Sequence, residues 1–116
     1  RVGEGSVPEM GPLHLGEVGI FQLINAFQNV LKRLDAREDL REIFGENFTV
    51  SDKIDRILQS LAGGASVRFS DLFTGMASRV EIVVTFLALL ELIRLKQVRA
   101  LQPNEFEEIE IAPIAR

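Results

Sequence analysis

The 116-residue chain contains no cysteine and a single histidine, His14. Without thiols there is no disulfide, no thiolate metal ligand and no cysteine nucleophile, a usage that fits a reducing compartment. One imidazole cannot form a paired-histidine metal site, and it leaves acid–base chemistry a single weak candidate. No apolar run reaches the roughly eighteen residues that a membrane span needs. There is no signal-peptide pattern, and the start at Arg1 rather than Met predicts a piece of a longer chain. Positive charge is in deficit: 13 Lys and Arg against 17 Asp and Glu leave a net charge of −4. That is the wrong sign for a protein whose main task is gripping phosphate backbones. No glycine-rich phosphate loop is present, and no Ser or Thr has a His in any plausible local arrangement. These absences disfavour an enzyme, a secreted protein and a membrane protein, and they leave no catalytic, cofactor or metal residue to assign. A cytoplasmic binding module remains.

Hydrophobic residues make up 47% of the chain and charged residues 26%, enough apolar surface for one folded domain. They are unevenly placed. Residues 1–16 hold four of the nine glycines and two of the four prolines, which predicts a flexible linker. From Val18 onward Ile20, Ile24, Phe27, Leu31 and Leu34 recur at three- and four-residue steps, the spacing of an amphipathic helix. With the charged stretch Asp35–Arg41 it forms a helix-and-connector unit over residues 17–47.

Thr49, with Asp52 three residues on, predicts a capped helix whose Ile54, Ile57, Leu58 and Leu61 make one stripe closed by Gly63 and Gly64. Val67–Phe69 is a short extended stretch, and Ser70 is expected to cap a short helix carrying Leu72 and Phe73. Ser78-Arg79-Val80-Glu81 is a full capping box opening the strongest helix, expected over Arg79–Lys96. Val98–Leu101 and Ile109–Ile111 alternate as two strands about a turn at Pro103-Asn104. Two helices joined by a glycine-containing turn, followed by a hairpin, predict a winged helix over residues 48–112. The expected class is therefore mainly α with a small β-hairpin, one long amphipathic helix in front and a tail at 113–116.

The hairpin carries Glu105, Glu107, Glu108 and Glu110 and no base, so a wing of this kind would repel DNA. The cluster itself reads as a solvated hairpin face, because metal loops also place Asp, Asn and Gly at set positions. The strong helix has no basic side chain between Val80 and Ile93. Projected at about one hundred degrees per residue, it shows one arc of Ile82, Val83, Phe86, Leu89, Leu90 and Ile93, expected in the core. A second arc holds Val80, Val84, Leu87 and Leu95, and the polar sector narrows to Glu81, Thr85 and Ala88. A helix this apolar is nearly surrounded by protein: the chain's own sheet and first helix, a partner, or both.

Thr49–Leu61, Val67–Phe73 and Ser78–Arg99, the last containing SRVEIVVTFLALLELI, resemble the C-terminal region of the bacterial segregation and condensation protein A family, the kleisin subunits of SMC complexes. Ile20–Leu34 is similar to the helix upstream in that family, and the resemblance covers residues 18–112. It implies a winged helix docked on the ATPase head of an SMC protein in the nucleoid. It also implies ScpB as a partner, held through the central region of the full-length protein. The family motifs do not mark contact residues. Physical argument places the docking surface on the hairpin and the neighbouring helix edge: Val84, Leu87, Arg94, Leu95, Arg99, Leu101, Ile109 and Ile111. There an outer strand with free N–H and C=O groups could accept a partner strand. The alternatives are a winged-helix transcription regulator, which should bind duplex DNA, and a self-associating module, which should sediment as a dimer.

Overall fold

The computed structural model describes residues 17–34, 48–104 and 107–114. The expected linker at 1–16, the connector at 35–47 and Glu105 of the acidic cluster lie outside the described residues. Three α-helices are present among those described: α1 (Ile20–Leu34), α2 (Val50–Ser60) and α3 (Arg79–Arg94). Three short strands accompany them: β1 (Val67–Arg68), β2 (Val98–Leu101) and β3 (Glu110–Pro113). The strands form one antiparallel sheet in the order β1–β3–β2. The fold is mainly helical with a small antiparallel sheet.

The helix starts follow from their caps. The Thr49 hydroxyl accepts the Asp52 N–H at 3.0 Å, and the Ser78 hydroxyl accepts the Glu81 N–H at 3.3 Å. Each satisfies a donor that the first turn leaves unpaired. Ser70 behaves differently from expectation. Residues Ser70–Phe73 form a 3₁₀ turn with no side-chain cap, and the Ser70 hydroxyl donates instead to Glu108 at 2.9 Å. A charged acceptor on the adjoining chain wins over a local backbone donor.

α3 ends earlier than its periodicity suggests. Lys96 has φ of 62°, its N–H donates to the Ile93 carbonyl, and the Gln97 N–H donates to the Leu92 carbonyl. That pair of bonds closes the last turn around a left-handed residue. The chain then reverses directly into β2.

α1 begins at Ile20, not Val18, because the preceding residues pair with the sheet. Glu17 bridges Leu101, and the Val18 N–H donates to the Ala100 carbonyl at 2.9 Å. At the other end, strand pairing reaches Pro113, and the Ile114 N–H donates to the Gln97 carbonyl.

The core lies between α1, α3 and the sheet. Four phenylalanines meet there: Phe27 stacks on Phe86 with ring centres 4.1 Å apart, and Phe69 meets both Phe73 and Phe86 edge-on. Leu23, Ile57, Ile82, Leu89, Leu92 and Ile111 complete it. One charged residue is buried among the described ones, Lys53 of α2. Its ammonium donates to Glu81 of α3 at 2.6 Å and lies 5.3 Å from the Phe48 ring centre.

Candidate partner-docking surface

α3 is apolar nearly all round, and tertiary contacts decide which side is covered. Its buried residues are Ile82, Thr85, Phe86, Ala88, Leu89 and Leu92. Thr85 and Ala88 therefore face inward, contrary to the expected polar sector. The Thr85 hydroxyl can enter because it donates to the Glu81 carbonyl one turn back at 2.8 Å. Val83, expected in the core, is exposed instead. What faces outward is a stripe of Val80, Val83, Leu87 and Leu95, with Leu87 at 47% exposure and Val84 half-buried beside it. The spacing 80, 83, 84, 87 is that of one helix face, so the side chains form a continuous apolar row.

Towards its C-terminal end the row meets an ion pair. Arg94 donates from Nε and Nη2 to both carboxylate oxygens of Glu91, at 3.0 and 2.6 Å. The hydrogen bonds to Arg94 hold the Glu91 carboxyl below the ordinary carboxylate value, and Glu91 in turn pushes Arg94 up. A fork-to-fork pair fixes both side chains in one geometry at the rim of the row.

The hairpin part of the expected surface is corrected. Ile111 of β3 is 0% exposed, and Ile109, just before the strand, is buried with it in the core. Arg99 and Leu101 are half-buried. The outer edge of β2 is not open either. Ala100 points its carbonyl outward to Val18, and the side chains of Ala100 and Val98 are buried. At the Ala100–Leu101 end of that edge the chain's own Glu17 and Val18 already take the place of an added strand. Val84, Leu87, Arg94 and Leu95 thus share one helix face, and Ile109 and Ile111 do not join them.

Sequence reasoning missed Phe21, which is 76% exposed at the start of α1 beside the exposed Ile20. A signal existed: Leu23, Phe27 and Val30 make the buried row of α1, and Phe21 falls off it. The hairpin carboxylates act as local acceptors, Glu107 for Asn104 and Glu108 for Ser70. Among the described residues, no group of three or more acidic or histidine side chains is placed to hold a metal, and no helix is long and apolar enough to cross a membrane.

The family model described as segregation and condensation protein ScpA matches residues 9–114. The chain belongs to that family. It is 38% identical over 92 residues to segregation and condensation protein A of Brevibacillus brevis, covering 79% of this chain and 36% of the relative. It is 34% identical over 101 residues to the protein of the same name from Myxococcus xanthus, covering 85% and 35%. Against that of Clostridium acetobutylicum it is 28% identical over 106 residues, covering 87% and 43%. The chain therefore spans about two fifths of the length of the curated relatives it matches. All four segments that carried the resemblance in sequence lie inside the matched range.

Proposed function

We propose that this chain is a non-catalytic kleisin module that docks on the ATPase head of an SMC protein and so links heads in a complex that condenses and segregates bacterial chromosomes. Family membership supports the kleisin role, and the exposed row Val80–Val83–Leu87–Leu95 carries the docking. An apolar row on a small domain is costly to leave in water, and a protein partner removes that cost. In this reading α2, the 3₁₀ turn, α3 and the β2–β3 hairpin constitute a winged helix, with the hairpin as its wing. The helix that would enter a DNA groove in a regulator instead seats on protein. ScpB is engaged through the central region of the full-length protein, and the working location is the cytoplasm, on the nucleoid.

Direct DNA readout is not favoured. Base recognition needs Arg, Lys, Asn or Gln along the exposed helix face, and this face presents Val and Leu. The deciding experiment is co-purification with an SMC head domain beside a duplex-DNA titration. Head binding by the wild type and its loss in Leu87→Glu, at unchanged melting temperature, is the expected result. Retained head binding in Leu87→Glu would move the surface off α3. Tight duplex binding with no head binding would replace the proposal with the regulator reading.

A further inference from the structure

The two edges of the sheet are unequal. The β2 edge is paired at its Ala100–Leu101 end by Glu17 and Val18, whereas the β1 edge has no neighbouring strand among the described residues. Val67 pairs with Ile111 and the Phe69 N–H donates to the Ile109 carbonyl, so these two residues face β3. By strand alternation Ser66 and Arg68 turn their N–H and C=O groups outward. Both residues are exposed, and their outward backbone groups have no partner among the described residues. The residues leading into β1, Ala62, Gly63, Gly64 and Ala65, are small and exposed. The edge is short, two residues, and carries one charge, Arg68, but no proline.

Beside this edge lies a cavity of about 160 Å³, of which Val67 forms one wall. Ile57, Leu72 and Met76 supply further apolar walls, and Thr85 of α3 lines it as well. Six of its ten lining residues are polar or charged, so the pocket is half-polar and open, with room for one Leu- or Met-sized side chain along its apolar walls. Two cations line the cavity, with different status. Lys53 is neutralised by Glu81, whereas Arg56 is exposed with no ion-pair partner among the described residues. Asp71 also lines the cavity, and its carboxylate repels another beside it.

We propose that the β1 edge and this cavity together bind an extended segment of a second protein, adding it as a fourth strand. The segment places an apolar side chain in the cavity and a carboxylate two positions away, on the same strand face, against Arg56. Main-chain bonds to Ser66 and Arg68 supply affinity, and the cavity and Arg56 supply specificity. This surface is separate from the proposed head-docking row, because Thr85 and Leu87 lie about 160° apart around α3.

Selection of a random heptapeptide phage library on the whole chain tests it. Enriched peptides should carry an apolar residue two positions from Asp or Glu, and a synthetic copy should shift the amide resonances of Ser66–Arg68 and Thr85. Arg56→Glu, an exposed substitution, should weaken that peptide at least tenfold, and Leu87→Glu should leave it unchanged. Arg68→Pro removes an outward donor without breaking a ladder bond and should also weaken it. The proposal is overturned if no such pattern enriches, if the shifts map to α3 around Leu87, or if Arg56→Glu binds the peptide as well as wild type. Loss of SMC head binding in folded Arg56→Glu would also overturn it, by assigning this edge to the head interface.

Discussion

Phe86 sits where three elements meet, stacked on Phe27 of α1 and edge-on to Phe69 after β1. Truncation to Ala removes both ring contacts and leaves a cavity that three elements cannot jointly close. The expected cost is about 3–5 kcal/mol by denaturant unfolding; a loss under 1 kcal/mol would place the ring outside the core. Glu91 offers a test of a different kind. Its carboxyl is held low by the hydrogen bonds from Arg94, so the folded protein binds that proton more weakly than the unfolded chain does. The stability from this pair is therefore present at neutral pH and is lost as acid carries the solution down through the lowered value. In an NMR titration the Glu91 midpoint should lie below the ordinary carboxylate value and rise in Arg94→Gln. An unchanged midpoint would show that the fork is absent in solution.

At the scale of elements, the end of α3 is held by a lysine in a backbone conformation that favours glycine. The left-handed region costs an L-residue roughly 1–2 kcal/mol, and glycine returns about half of that relief as extra chain entropy in the unfolded state. Lys96→Gly should therefore raise stability by about 0.5–1 kcal/mol without altering the helix, measured by thermal unfolding. A decrease would mean that the lysine side chain makes a compensating contact. The Lys53–Glu81 bond joins α2 to α3 and explains how a lysine enters a buried helix face at all. A buried ammonium is tolerated only with a paired charge and filled hydrogen-bond positions.

For the molecule as a whole, the question is which apolar residues hold the fold and which face outward. Ile111 and Leu87 are both aliphatic residues in apolar patterns, yet one is 0% exposed and the other 47%. Ile111→Glu buries an unpaired carboxylate in the centre of the sheet and should abolish cooperative unfolding or cost more than about 4 kcal/mol. Leu87→Glu should change stability by no more than about 0.5 kcal/mol, as surface substitutions do. Circular dichroism melts of the two variants separate core from surface. Equal losses in both would show that the α3 row is covered in the isolated chain.

The sequence by itself determined the starts of α2 and α3, the position of β2 and the family resemblance. Capping chemistry at Thr49 and Ser78 is local, involving a hydroxyl and an N–H three residues away, so spacing alone reveals it. The alternation of Val98–Leu101 located β2, and the order of side chains over Ser78–Ile93 was specific enough to carry the resemblance. Tertiary structure decided what local pattern could not. Periodicity does not say which side of α3 is buried when nearly every side is apolar, and here Thr85 and Ala88 went in while Val83 stayed out. Nor could it show that Glu17 and Val18 would take the β2 edge, since that pairing joins residues more than eighty positions apart. The same holds for Lys53, whose burial depends on a carboxylate twenty-eight residues further on. In each case the deciding term is the desolvation of a group by a distant neighbour, and the neighbour is known only once the chain has folded.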